Sequence, residues 1–403
     1  MNNKITIFQL LKNNYYFCII LTKKLFAMRE QLNPFVTSGY ISSEFFCDRE
    51  EETIQLIKEI NNGNNLALIS TRRMGKTGLI RHCFNFKEIK EQYRTFFVDI
   101  YATNSLRDFV FALSKVLLEG LKPYGRQVME KFWNSVKSLR AGISFDPLGN
   151  PTFNIGLGDI QEPQATIDEI FFYLNESDKP CIVAIDEFQQ IASYPETHVE
   201  AILRTHIQHC NNVRFIFAGS QRHTISNMFL SASRPFYQSV SMLYLKSIPL
   251  LAYTEFATSH FEKAGKKINK ELIANIYQQF DGVTWYLQKI LNILFDMTLP
   301  GETCDNTFIS YALENIVNSF QYAYSEMLFR LPEKQKALLI AIAKEGKAKE
   351  VTSGKFIKKH NLHSASSVQS AIKVLLDKDF ITKERDEFLV YDKFFRIWLT
   401  ENY

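Results

Sequence analysis

The run Ser70-Thr71-Arg72-Arg73-Met74-Gly75-Lys76-Thr77-Gly78 has the residue types of a phosphate cradle. It fits the pattern G-x-x-x-x-G-K-[ST] except at the first glycine, which Ser70 replaces. The run follows the short apolar stretch Leu66 to Ile69 and opens a helix read over Gly78 to Phe84. A strand, a tight loop and a helix N-terminus would surround a polyphosphate with backbone N–H groups and the positive helix end. Lys76 would lie against the β- and γ-phosphates, and Thr77 would offer its hydroxyl to Mg²⁺. A bare Gly-Lys-Thr can also open an ordinary helix, so a second feature has to decide. About 110 residues downstream, with one further strand between, the apolar run Cys181 to Ile185 ends in Asp186-Glu187. Carboxylates at the end of a buried strand are costly unless a cation sits beside them. Asp186 is therefore read as holding the water shell of Mg²⁺, and Glu187 as orienting or deprotonating the attacking water.

Five further features complete the reading. Val213 to Ala218 is another apolar run, and it delivers Gly219-Ser220 at the end that faces a ligand in a parallel sheet. Ser220 is read as a sensor of the γ-phosphate, against the alternative of ordinary turn chemistry. Arg234, in Arg234-Pro235-Phe236-Tyr237, is either an arginine finger acting within its own chain or on a second copy, or a structural guanidinium stacked on Phe236 or paired with an acid. Arg72 and Arg73 flank the phosphates, but the expectation for both is a backbone carbonyl or an acid before the nucleotide. His206 and His209 share a helix face without a third metal ligand and read as solvated. Thr284-Trp285-Tyr286-Leu287 reads as packing, not as a base-stacking platform.

The elements that must position these residues follow from hydrophobic patterning. Short apolar runs at Leu66–Ile69, Thr95–Ile100, Cys181–Ile185, Val213–Ala218 and Met242–Leu245 alternate with helical stretches such as Leu106–Leu118 and Ile167–Leu174. That alternation implies βαβ crossovers and a mostly parallel sheet covered on both faces. The stretch 142–158 reads as an inserted β-hairpin. After Leu250 only helices are expected, up to Leu331-Pro332. The final segment reads as three helices, Lys334–Ala343, Ser353–His360 and Ser364–Leu376, followed by two short strands at Phe380–Thr382 and Phe388–Tyr391, which describes a winged helix-turn-helix. Expected boundaries are an N-terminal extension over 1–32 without fixed structure, an α/β core over 33–250, a helical lid over 251–330 and the winged helix over 331–403.

Composition narrows the classes. At 403 residues the chain exceeds what one hydrophobic core supports. A net charge of +4 excludes a uniformly basic polyanion binder, and the whole excess falls within Leu331–Tyr403. Six cysteines without a C-x-x-C pair argue against a zinc cage or a disulfide framework and fit a reducing cytoplasm. The apolar run Tyr15–Thr22 is too short to span a bilayer, so no membrane role is expected, and Met28 reads as an alternative start.

Taken jointly, several segments resemble the archaeal-type ATPases, a P-loop family on the AAA+ side near the signal-transduction ATPases with numerous domains and archaeal origin-binding proteins. They are Phe46-Cys47-Asp48-Arg49-Glu50, Arg72 to Thr77, Asp186-Glu187-Phe188-Gln189, Gly219-Ser220, Arg234 to Tyr237, Asp281 to Leu287 and Asp392 to Leu399. The likeness runs from about Asn33 to the C-terminus. It implies an additional-strand, catalytic-glutamate, AAA+-like P-loop core, an all-helical lid and a C-terminal winged helix, with ATP and Mg²⁺ as cofactors. It also implies that Phe46 and Arg49 flank the adenine. The sequence departs from the family pattern at Ser70, at Thr284 where proline is usual, and at Gln238-Ser239 where Gly-Arg often follows. The expected function is an ATPase switch coupled to the winged helix, whose partner is duplex DNA or a protein; the alternative is a DNA-binding regulator with a structural nucleotide. A trans-acting finger would require a homo-oligomer.

Overall fold

The computed structural model describes residues 32–145, 151–153 and 156–403. The extension before residue 32, with its apolar run and Met28, and the centre of the expected hairpin lie outside the described residues. The chain divides into two compact units: Val36–Tyr253 with Asp281–Tyr286, and Phe35 with Thr254–Phe280 and Leu287–Tyr403.

The first unit is built on a five-stranded sheet. In chain order its main elements are α1 (Glu50–Asn61), β1 (Leu66–Ile69), α2 (Lys76–Asn85), β2 (Arg94–Asp99), α3 (Leu106–Leu121), β3 (Ile143–Phe145), β4 (Pro151–Phe153), α4 (Pro163–Asn175), β5 (Cys181–Asp186), α5 (Val199–His209), β6 (Val213–Gly219), α6 (Arg222–Leu230) and β7 (Ser241–Tyr244). The order β2-β5-β6-β1-β7, parallel throughout, inserts β6 between the loop-bearing strand and the strand that ends in two acids. This is the additional-strand arrangement. The antiparallel pair β3–β4 stands apart as its own ribbon.

Period-two alternation explains why the strands read as continuous apolar runs. On β5, Cys181, Val183 and Ile185 enter one core together with Phe96, Phe109, Phe215 and Phe217, while Ile182 and Ala184 enter the other with Leu68, Leu79, Ile80 and Ile216. Helices cover both faces, so every position of the central strands β1 and β5 is buried by one layer or the other. Gly120 of α3 lets that helix lie close to the sheet, since a Cβ there would stand 2.8 Å from the Phe96 ring.

The second unit is mostly helical: α7 (Leu250–Lys263, entering from the first unit), β8 (Lys267–Ile268), α8 (Lys270–Gln279), α9 (Thr284–Met297), β9 (Thr303–Cys304), α10 (Asn306–Phe329), α11 (Glu333–Glu345), β10 (Ala348–Lys349), α12 (Gly354–Lys359), α13 (Ala365–Asp377), β11 (Ile381–Glu384), β12 (Glu387–Val390) and α14 (Lys393–Asn402). The expectation of helices alone after Leu250 is corrected by the parallel pair β8–β9. Each strand holds two residues, too few for a periodic signal. The wing is likewise a three-stranded sheet in the order β10-β12-β11, not two strands. Helix α14 starts from Asp392, which accepts from the Phe394 and Phe395 amides, and it packs Phe395 against Tyr324 of α10 at 4.9 Å. Among the described residues no helix is long and apolar enough to cross a membrane.

Candidate nucleotide site

Strand β1 is fully buried and is followed by Ser70, which is itself buried. Its backbone N–H reaches Gly219 O at 3.4 Å and its hydroxyl donates to Thr71 O at 2.8 Å. The hydroxyl thus finds an acceptor inside the loop, which accounts for a serine where the pattern expects glycine. Arg73 and Gly75 both take left-handed backbone, with φ of 70° and 92°. Left-handed residues alternating with ordinary ones curl a loop into an anion-binding concavity, and α2 then starts at Lys76.

Three segments meet at the C-terminal ends of β1, β5 and β6. Thr77 Oγ1 donates to Asp186 Oδ2 at 2.7 Å, and Asp186 Oδ1 accepts from the Glu187 amide at 3.0 Å. Ser220 Oγ donates to Glu187 Oε2 at 2.7 Å and accepts from Arg72 Nε at 3.3 Å. Burial pushes the Lys76 ammonium below its ordinary value, against the opposing pull of Glu187 and Asp186. Burial likewise raises Asp186, partly offset by the Thr77 hydrogen bond and Lys76. Both charges are thus poorly solvated where they sit, and each becomes easier to hold when a counter-ion arrives. Glu187 is left-handed, at φ 56° and ψ 40°, a conformation that costs free energy in a non-glycine residue and clusters at functional sites.

Phe46 stacks on His82 at 4.3 Å and lies 3.3 Å from where a Cβ on Gly78 would stand, so it covers the first turns of α2. Arg49, buried and left-handed, pairs with Glu52 at 2.7 Å and donates to Met74 O at 3.2 Å. Its guanidinium braces the loop's backbone. Arg73 turns away from the strand ends: it stacks on Trp285 at 4.3 Å and Tyr286 at 5.0 Å and hydrogen-bonds the Tyr286 hydroxyl. Trp285 N returns a bond to Arg73 O at 3.1 Å. Trp285 and Tyr286 therefore pack on the loop that follows β1.

Arg234 is held elsewhere. Its Nη2 pairs with Glu200 Oε1 at 2.6 Å at the start of α5, which is the acid-paired alternative of the two read from the sequence. His206 pairs with Asp168 at 3.0 Å, and among the described residues no group of three or more metal-ligating His, Cys, Asp or Glu side chains occurs. Two contributors carried no role in the sequence reading. Gln189 donates to Glu187 Oε2 at 2.5 Å, and Phe188 anchors that turn among Phe217, Phe229 and Phe236. The only sequence signal for Gln189 was its place in Asp-Glu-Phe-Gln.

The family described as "ATPase domain predominantly from Archaea" matches residues 46–290, and one described as "Probable winged helix domain" matches residues 322–401. The chain belongs to that archaeal-type ATPase family and carries a winged helix behind the ATPase domain. No curated protein matches it significantly. Among solved structures it is similar to the Walker-type ATPase paby2304 of Pyrococcus abyssi, with 18% identity and a TM-score of 0.62 over 91% of this chain and 99% of that one. It is also similar to the ORC2 protein of Aeropyrum pernix in ADPNP–ADP complexes, with 15% identity and a TM-score of 0.56 over 92% and 96%. At these identities the likeness speaks for the fold.

Proposed function

We propose that the protein is a Mg²⁺-dependent ATPase that works as a molecular switch, its nucleotide state read out by the C-terminal winged helix. The observation that carries this is the convergence of Thr77, Asp186, Glu187 and Ser220, drawn from three strand ends, into one hydrogen-bonded cluster that the buried Lys76 ammonium faces. In this reading Ser70 to Gly78 wrap the phosphates, Lys76 meets the β- and γ-oxygens, and Phe46 and Arg49 stand on the adenine side. Thr77 and Asp186 supply hard oxygen donors 2.7 Å apart, and Asp186 is a buried carboxylate whose charge a cation would stabilise, which suits Mg²⁺. That ion would neutralise charge on the phosphates. Glu187 takes a proton from the attacking water, Ser220 reads the γ-phosphate, and Arg234, spent on Glu200, stays out of the step.

The winged helix is a weak polyanion surface by its own chemistry. Lys359 and His360 are both tied to Glu345, at 2.6 and 2.7 Å. The exposed side of α13 carries Ser366, Gln369 and Ser370, with Lys373 as a cation. We therefore place a protein partner ahead of duplex DNA. The test is ATP turnover with and without duplex DNA at two protein concentrations. Expected is a Mg²⁺-dependent rate proportional to protein and indifferent to DNA. Stimulation by DNA that fades with added salt would make the module a DNA reader. A specific activity that climbs with concentration would bring in a finger from a second copy, and no turnover at all would remove the switch.

A further inference from the structure

The turn after β5 contains a feature that the nucleotide reading leaves unexplained. Gln189 is 5% exposed, and its side-chain oxygen Oε1 is buried without a hydrogen-bond partner. Leaving a buried amide oxygen without a donor costs about 1–3 kcal/mol. Turning the amide over would not relieve it, because Oε1 would then face the Glu187 carboxylate, acceptor against acceptor. The carboxylate thus dictates the orientation, with Nε2 on Glu187 Oε2 at 2.5 Å. The backbone cannot relax either, since Phe188 is fully buried between Phe217 at 4.5 Å and Phe236 at 5.4 Å. Gly219 completes the enclosure: a Cβ there would lie 2.4 Å from Gln189 Oε1.

We infer that Gln189 is a positioning residue for Glu187, an inference that rests on Glu187 being the base of the proposed ATPase. Gln189 Nε2 and Ser220 Oγ both donate to Oε2 of Glu187, at 2.5 and 2.7 Å. Two donors on one oxygen fix the carboxylate plane and direct the other oxygen, Oε1, to the nucleophilic water. The orphaned amide oxygen is the cost of that grip. In this role Gln189 acts through Glu187.

The test uses the full chain and compares wild type with Gln189→Met, which keeps the side chain's length and apolar packing while removing both the donor and the orphaned acceptor. Expected are an unchanged or raised melting temperature, Mg·ATP affinity within twofold of wild type, and single-turnover hydrolysis slower by roughly 10- to 100-fold, the range for a misplaced catalytic group. In a Glu187→Gln background the same change is expected to do nothing further, because its effect passes through Glu187. Gln189→Asn, which keeps a buried amide but falls short of Glu187, should also slow turnover and covers the case in which the methionine variant misfolds. Wild-type turnover in either variant overturns the inference. So does an equal loss in the Glu187→Gln background, or a loss confined to ATP affinity. These outcomes differ from failure of the ATPase reading itself, which would appear as wild-type protein without turnover or with turnover indifferent to Glu187.

Discussion

Gly219→Ala is the substitution for which the structure gives the most definite consequence. The added methyl would stand 2.4 Å from Gln189 Oε1 and 2.4 Å from Ile225 Cδ1, where ordinary contact begins at 3.4 Å. Each neighbour must yield about 1 Å. Ile225 is fully buried in the core that also holds Phe188, Phe217 and Phe229, so its retreat disturbs close-packed rings. Overpacking of this kind costs about 1–3 kcal/mol. For a unit of this size each kcal/mol lowers the melting temperature by roughly 2–4 °C. The other neighbour carries the functional effect, because moving Gln189 by 1 Å lengthens its 2.5 Å bond to Glu187 past hydrogen-bonding range. Differential scanning calorimetry and single-turnover hydrolysis on the same preparation measure both. The expected pair is a melt lower by roughly 2–12 °C and a rate lowered to about that of Gln189→Met. A Gly219→Ala protein that melts and turns over as wild type would refute the packing argument and the positioning role together.

Two other outcomes follow from the same geometry. Lys76→Ala removes the ammonium that faces Asp186 and Glu187 and should abolish nucleotide binding in isothermal titration; retained Mg·ATP affinity would move the phosphates elsewhere. His82, stacked on Phe46 and hydrogen-bonded to the Tyr40 hydroxyl at 3.0 Å, is held by burial below its ordinary 6.5. The unfolded chain takes up that proton first as pH falls, so stability is lost on going down through about 6.5 and levels off once the folded His82 also titrates. His82→Phe should therefore lose less melting temperature than wild type between pH 8 and pH 5, and equal losses would exclude this histidine.

How much was legible in the sequence follows from which interactions are local. The strands of the main sheet were found within a residue or two because burial on both faces makes them unbroken apolar runs. The meeting of the Ser70–Thr77 loop with the Asp186-Glu187 pair was legible because a strand, a tight loop and a helix start demand fixed residue types at fixed spacing. What was missed depends on contacts between distant residues. Nothing near Arg234 in sequence announces Glu200, and nothing near Arg73 announces Trp285 and Tyr286. Gln189 acquires its place only because Glu187 is left-handed, Phe188 is anchored and Gly219 is bare. Strands β8, β9 and β10 hold two residues each and exist through their pairing, not through propensity.

The most direct test of the central claim is single-turnover hydrolysis of Mg·ATP by wild-type and Glu187→Gln protein, each with its nucleotide affinity measured alongside. The substitution keeps the shape of the side chain and removes its capacity to take a proton. The prediction is equal affinity, with hydrolysis in the wild type and only a small residual rate in the variant. Equal rates in the two proteins would contradict the assignment of Glu187, and with it the proposed mechanism.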